Sequence, residues 1–147
     1  FARGVLETVK KLRWAPDVIH CQGWITNLIP LYLKKVYKAD PIFADSRIVT
    51  TLYNDISEEK FGASFKDTIL FGGISPDDVP LPEDPDGTNL AKLAAMYSDG
   101  VIIGDSAVSS DLVGYCKGLD VPTLDFNAES MENGTYAREY DEFYQQL

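Results

Sequence analysis

Polar or glycine-bearing loops follow each of four apolar runs in this 147-residue sequence. They are Cys21-Gln22-Gly23-Trp24, Tyr53-Asn54-Asp55, Gly104-Asp105-Ser106 and Asn127-Ala128-Glu129-Ser130. In an open parallel sheet, ligands bind beyond the carboxyl ends of the strands, where the strand-to-helix loops lie. The pattern therefore indicates one ligand-binding edge, although loops after strands are polar in every fold of this kind.

The first of these loops carries the side chains best suited to binding a sugar. Gln22 can donate hydrogen bonds to hydroxyl groups and accept them, but it cannot titrate. Trp24 offers an aromatic face for stacking on a pyranose ring, and it could equally be the first core contact of the next helix. That helix begins after Gly23, so its free N–H groups could hold an anion or a sugar hydroxyl.

His20 is the only histidine, which excludes a multi-histidine metal site within this chain. Its place between Ile19 and Cys21 at the end of a strand is, on pattern alone, typical of a core histidine whose hydrogen bonds are satisfied. The adjacent carboxylates Asp77-Asp78 and Glu83-Asp84 lie in a proline-rich segment, so we interpret them as solvated side chains rather than an acid/base pair. The sequence contains no glycine-rich phosphate loop, nucleophile elbow or zincin motif.

Short apolar runs alternate with longer helical patterns, which predicts βαβ units and a parallel sheet with flanking helices. Strands are predicted over Asp17–Cys21, Arg47–Tyr53, Gly100–Gly104 and Pro122–Phe126. Helices are predicted over 4–13, Trp24–Lys38, Asn89–Ser98, about 110–117 and Tyr136–Leu147. The last helix carries an apolar stripe, which is more typical of a docking face on the core than of a ligand site.

Several boundaries between these elements have their own signals. Thr88 is predicted to cap the helix that follows it, and Ser109 or Ser110 to cap the next one, which Gly118 ends. The segment 54–86 has mixed patterning, and its prolines predict that it is irregular and exposed. These prolines are Pro76, Pro80, Pro82 and Pro85.

The composition fits one compact domain, because 45% of the 147 residues are hydrophobic. The net charge of −10 argues strongly against a nucleic-acid-binding protein, which would need a basic patch. The acidity is uneven, since residues 61–147 hold sixteen Asp or Glu and four Lys or Arg, against seven and nine in residues 1–60. We interpret this distribution as a solvated surface, or as a more basic first half that faces an anionic ligand or an acidic partner.

Three further features bear on where the protein works. No apolar stretch reaches 18 residues, so no membrane span is predicted. Cys21 and Cys116 lie far apart and form no CxxC pair, which favours reduced thiols and a cytoplasmic location. The chain opens at Phe1 with helical spacing already present, which predicts that it is a piece of something longer.

The first strand, loop and helix resemble a signature of the starch and glycogen synthase family. The signature is written PDVxHxHDWHxxLxPxYL, and residues 16–33 read PDVIHCQGWITNLIPLYL. The run from Ile48 to Asn54 resembles the family's strand that closes with a His-Asn pair. Residues 89–92 and 97–101 resemble its N-x-x-K helix and its YADxV strand entry. The resemblance covers roughly residues 1–115 and identifies a divergent fragment of that family.

The resemblance implies a two-lobed transferase of the GT-B architecture that moves glucose from ADP-glucose, or UDP-glucose, onto an α-1,4-glucan without a metal or other cofactor. Residues 1–147 would form part of one such catalytic domain, a Rossmann-like parallel sheet whose lobe lacks its N-terminal half. The family's KxGGL motif and second lobe are absent from this sequence, so the chain alone is predicted to be inactive. The implied partners are α-glucan and nucleotide sugar, with no nucleic acid and no membrane, and the oligomeric state stays open.

The same resemblance implies which residues act. His20 and Gln22 take the positions assigned to catalysis. The positions assigned to substrate binding are Gly23, Trp24, Tyr53 and Asn54. Gln22, Gly23, Ile25 and Tyr53 replace the family's residues at their positions. Because Gln22 keeps hydrogen bonding but loses titration, sugar binding survives these changes better than transfer. The alternative is a non-catalytic transferase-like lobe that binds glucan or a protein partner.

Overall fold

In the computed structural model, which describes residues 1–56 and 59–147, four parallel strands form one sheet. Their order is β1 (Val18–Gln22), β2 (Arg47–Leu52), β3 (Gly100–Ile103) and β4 (Thr123–Leu124). Gln22 lies beside Thr51, and Leu52 lies beside Ile103, so β1, β2 and β3 end at one edge of the sheet. The Rossmann-like α/β fold is thus confirmed, with a last strand shorter than predicted.

The described residues form seven α-helices and two short 3-10 helices around this sheet. The α-helices are α1 (Ala2–Lys11), α2 (Ile29–Lys35), α3 (Phe65–Ile69), α4 (Gly87–Met96), α5 (Ser110–Gly118), α6 (Ala128–Asn133) and α7 (Tyr136–Gln145). The 3-10 helices cover Trp24–Thr26 and Pro76–Asp78.

The two faces of the sheet are covered differently. On one face, which we call the four-helix face, apolar strand residues pack beneath α1, α2, α4 and α5. These strand residues include Cys21, Ile48, Leu52, Val101 and Ile103. On the other face, the α7 face, Val49 and Ile102 pack against Tyr140 and Phe143. The docking role predicted for the last helix is therefore confirmed.

The single helix predicted over Trp24–Lys38 is wrong. The chain forms the 3-10 helix Trp24–Thr26 first, and α2 begins only at Ile29. Pro30 lies in the first turn of α2, where its missing N–H costs no intrahelical hydrogen bond. In a continuous helix the ring of Pro30 would clash with the carbonyl of Thr26, which explains the break.

The predicted cap of α4 is also wrong, whereas that of α5 is confirmed. Asp86, not Thr88, caps α4, because its Oδ1 accepts a 2.9 Å hydrogen bond from the Asn89 N–H. Asn89 returns the contact by accepting from the Asp86 N–H, so the two residues satisfy each other's free donors. Ser109 caps α5 by accepting from the Leu112 N–H.

The proline-rich segment is exposed in part, as predicted at Pro76, Pro80 and Pro82, and packs against the core in part. Val79, Leu81 and Pro85 are buried, and α3 interrupts the irregular stretch expected over 54–86. Residues 57 and 58 of that stretch lie outside the described residues. Pairing explains the packing, since the Phe61 N–H donates to the Pro85 carbonyl at 2.9 Å.

Candidate functional site

Gln22 and Tyr53 meet at the carboxyl edge of the sheet. The Tyr53 hydroxyl donates a hydrogen bond to Gln22 Oε1 at 3.3 Å. Gln22 is exposed and Tyr53 is half-buried, so a neutral amide and a phenol stand at the ends of β1 and β2. Burial raises the pKa of Tyr53, which keeps its hydroxyl protonated and able to donate at neutral pH.

Gly23 turns the chain from β1 into the next helix. Its φ of 84° lies in the left-handed region, which glycine adopts without strain. After this turn the Trp24 N–H donates to Asp55 Oδ2 at 3.2 Å, which ties the loop after β1 to the loop after β2. Asn54 is exposed beside Asp55. The sequence prediction placed Asp55 in the loop but gave it no role.

His20 lies on the α7 face, one strand repeat before Gln22. Its Nδ1 is 2.5 Å from the Tyr144 hydroxyl and its Nε2 is 2.5 Å from Thr51 Oγ1. Burial lowers the pKa of His20, so the ring is neutral at pH 7. Both nitrogens thus contact other side chains of this chain, as in a satisfied core histidine. The catalytic role assigned to His20 stays a prediction.

A cavity of about 220 Å³ lies next to Trp24 and α4. Its lining includes Trp24, Asn27, Glu59, Lys60, Phe61 and Leu90. Trp24 is 50% exposed, so its aromatic face is open to a ligand. Sequence reasoning assigned Trp24 but missed Asn27 and Phe61, because no local pattern brings residues 59–61 beside residue 24.

The loop after β3 begins at Gly104, which lies close to the side chains of Tyr53 and Thr51. A Cβ on Gly104 would lie 2.6 Å from both Tyr53 Cε1 and Thr51 Cγ2. Glycine at this position therefore leaves room for the ring of Tyr53. In the same loop, Asp105 Oδ1 accepts from the Ala107 N–H and closes a turn. In the loop after β4, Asn127 Oδ1 accepts from the Ser130 N–H and caps α6.

The described residues show neither a metal-binding cluster nor an activated thiol. The described residues contain no group of three or more His, Cys, Asp or Glu that could hold a metal ion. Within the same residues, no helix is both long enough and apolar enough to cross a membrane. Cys21 and Cys116 are buried free thiols whose pKa values burial raises to about 12 and about 11, so both stay protonated and unreactive at neutral pH.

Comparison with known proteins gives a consistent set of relatives. Residues 1–118 match the family described as the starch synthase catalytic domain. A glycogen synthase of Clostridium perfringens is 30% identical over an alignment of 151 positions, gaps included, that covers 97% of this chain and 30% of the relative. One of Chlorobium limicola is 33% identical over 116 residues, 78% of this chain and 23% of the relative. The chain thus spans less than a third of these relatives, and no solved structure matches it.

Proposed function

This chain belongs to the starch and glycogen synthase family, and on that premise we propose that it is part of a glucosyltransferase. The proposed enzyme moves glucose from ADP-glucose or UDP-glucose onto an α-1,4-glucan, and the nucleotide sugar is its substrate rather than a cofactor. In this proposal, residues 1–147 form part of a single catalytic domain, and the N-terminal half of its first lobe lies outside them.

The observation that carries the proposal is the pairing of Gln22 and Tyr53 at the carboxyl edge of the sheet. An amide and a phenol offer donors and acceptors to sugar hydroxyls without adding charge. Gly23 turns the backbone beside them, and Trp24 adds an exposed aromatic face. The exposed amide of Asn54 adds a further uncharged donor and acceptor, next to the Asp55 carboxylate that accepts from the Trp24 N–H.

The chain's share of this work is to bind and orient the sugar. Gln22 cannot titrate, and burial raises the pKa of Tyr53, so neither group moves a proton near pH 7. His20 is bonded to side chains of its own chain on both nitrogens. We therefore expect purified 1–147 to transfer no glucose from ADP-glucose, and measurable turnover would contradict this division of labour.

Uncovered apolar side chains support a lobe larger than this chain. Phe1, Leu12 and Trp14, which lie just before and just after α1, are all mostly exposed. In addition, β1 is an edge strand of the sheet and pairs only with β2 among the described residues. Open strand edges and exposed apolar groups are normally covered in a stable protein. We propose that further sequence of the parent protein covers these side chains and the open edge of β1.

We also propose a cytoplasmic location for the protein. Cys21 and Cys116 are free and buried, which fits a reducing compartment. Both proposed substrates, the nucleotide sugar and the glucan, are polar molecules that such a compartment would have to supply.

A second candidate is a lobe that binds glucan or a protein partner outside an active enzyme. The replacement of two family histidines by Gln22 and Tyr53 favours this candidate, because it keeps hydrogen bonding and removes titration. The full gene sequence separates the two. A KxGGL motif upstream and a second nucleotide-binding lobe downstream indicate the enzyme, whereas a stop soon after Leu147 indicates the binding lobe.

Calorimetric titration with maltotriose tests the sugar site directly. Trp24→Ala removes the stacking face, and we expect its affinity to fall by about tenfold, or roughly 1.4 kcal/mol. Trp14→Ala is the matched control, because Trp14 is 64% exposed but precedes β1, at the opposite edge of the sheet. Equal affinities of Trp24→Ala and the unmodified chain would remove Trp24 from the site. No detectable binding by the unmodified chain would refute the proposed function.

A further inference from the structure

We propose that the cavity beside Trp24 is a subsite for one glucose unit of the glucan, and that Asn27 supplies its hydrogen bonds. This inference rests on the proposed function and extends it to the α4 side of the edge. Asn27 occupies a position that the family signature leaves unspecified, so the resemblance does not assign it a role.

The side-chain amide of Asn27 borders the cavity and is not bonded to its own chain. The residue is 3% exposed, and its backbone N–H donates to the Trp24 carbonyl at 3.1 Å. Across residues 1–56 and 59–147, its side-chain amide makes no hydrogen bond, although it lines the cavity. The amide atoms are not among the fully enclosed polar atoms of these residues, so water or a ligand in the cavity can reach them. Polar groups of mostly buried residues are normally paired with protein, water or a ligand.

The other walls of the cavity fit a sugar ring. Trp24 offers an aromatic face, and Phe61 and Leu90 add apolar surface for the C–H groups of the ring. The charges at the wall are balanced, because Glu59 and Lys60 have opposite signs and Lys60 Nζ also lies 4.0 Å from Asp84 Oδ2, so the cavity has no excess positive charge that would select an anion. The volume of about 220 Å³ is below the roughly 300–1,000 Å³ of pockets for drug-sized ligands, so the cavity holds a single ring and not a chain.

The cavity is formed before a ligand binds, because its walls are tied to one another. Phe61 stacks on Phe65 with ring centroids 4.7 Å apart, and its N–H donates to the Pro85 carbonyl. Lys60 forms an isolated antiparallel β-bridge with Asp86, the cap of α4. Since Leu90 lies on α4, the segment 59–61 is held against the same helix that closes the opposite wall. A preformed site lowers the entropy cost of binding.

Asn27→Leu tests the subsite, because leucine has nearly the shape of asparagine and makes no hydrogen bonds. We expect the affinity for maltotriose to fall about tenfold. The Asn27 amide makes no side-chain hydrogen bond within the described residues, so the replacement breaks none and the melting temperature should stay close to that of the unmodified chain. Free glucose serves as the control ligand, since a second subsite makes maltotriose bind more tightly than glucose, and Asn27→Leu should remove that advantage.

The side-chain NH₂ resonances of Asn27 give a second measurement on the unmodified chain. They are identified by their loss in Asn27→Leu, and we expect them to shift when maltotriose is added. Unmoved resonances, or equal maltotriose affinity in Asn27→Leu, would mean that Asn27 holds only water and would overturn the subsite while leaving the proposed function standing. If the unmodified chain binds no maltotriose, the proposed function fails first.

Discussion

The four-helix face and the α7 face of the sheet are built from different contacts. Beneath the four helices the packing is mostly apolar, with Val101 and Leu112 at most 1% exposed, although one buried hydrogen bond joins the hydroxyls of Thr50 and Ser98. Beneath α7, polar groups share the interface, as in the contact of His20 with Tyr144. Apolar packing supplies most of the stability of a fold, whereas polar contacts orient the groups that make them. The difference teaches that one face supplies most of the apolar packing, whereas the other orients polar side chains near the carboxyl edge of the sheet.

The α7 face also buries a polar group that has no hydrogen-bond partner, which is unfavourable for folding. The Tyr140 hydroxyl is the only fully buried side-chain polar atom without a hydrogen-bond partner among the described residues. Burial, which is the main cause, and the nearby Tyr53 raise the pKa of Tyr140 to about 12. The ring of Tyr140 nevertheless packs on the sheet and lies edge-on to His20, with ring centroids 5.7 Å apart. Tyr140 therefore stabilises this face through the packing of its ring and not through a hydrogen bond of its hydroxyl.

Truncating one leucine on each face gives the largest expected contrast. Leu112→Ala on the four-helix face should lower the free energy of unfolding by about 2–5 kcal/mol, because it leaves a cavity in a sealed core. Leu124→Ala on the α7 face should cost less, since Leu124 is only half-buried. Urea denaturation of both variants measures the difference, and a larger loss for Leu124→Ala would reverse the assignment of the two faces.

Gly104→Ala, which adds one methyl group next to Tyr53, should have the next largest effect. The new Cβ of Gly104→Ala would clash with Tyr53 and Thr51, so we expect a loss of about 1–3 kcal/mol in unfolding free energy. Maltotriose affinity should fall with it, because the ring of Tyr53 must move. Gly114→Ala is the matched control, since no atom lies near its Cβ on α5, and alanine there should stabilise by about 0.5–1 kcal/mol. Unaltered stability of Gly104→Ala would show that Tyr53 is not confined by β3.

Two hydroxyl deletions on α7 separate a paired group from an unpaired one. Tyr144→Phe removes the partner of His20 Nδ1 and should cost about 1 kcal/mol. Tyr140→Phe removes a hydroxyl that has no partner and should be neutral or slightly stabilising. Thermal unfolding of the two variants measures this order. If Tyr140→Phe were the more damaging change, its hydroxyl would have to be bonded in solution.

A pH series gives the smallest and most specific test of the α7 face. Because burial lowers the pKa of His20, the unfolded chain binds a proton more readily than the folded one. Stability should therefore fall as the pH drops below about 6.5, and it should keep falling until the folded-state pKa is passed. His20→Gln should lose this component, and His20 is the only histidine, so the difference between the two chains isolates it. Identical pH profiles from about pH 7.5 to about pH 5.5 would show that the ring is not buried in solution.

Hydrophobic periodicity located the strands to within a few residues, because a buried strand needs an apolar run and a loop needs polar groups. Local hydrogen bonding was harder to predict. Asp86 and Thr88 are both acceptable caps, and only the reciprocal contact of Asp86 with Asn89 decides between them. The break before α2 was also missed, although a proline in the interior of a helix clashes with the carbonyl four residues earlier and Pro30 therefore favours a helix start close to it.

The sequence by itself determined that the segments ending in Gln22 and Tyr53 are parallel strands, and the carboxyl ends of neighbouring parallel strands meet at one edge. Only the tertiary structure decided that Tyr53 lies near α7 while Trp24 turns toward α4 and Asn27. The reason is that side-chain direction after a strand depends on the turn at Gly23 and on helices distant in the chain, and no local pattern of residues contains that packing.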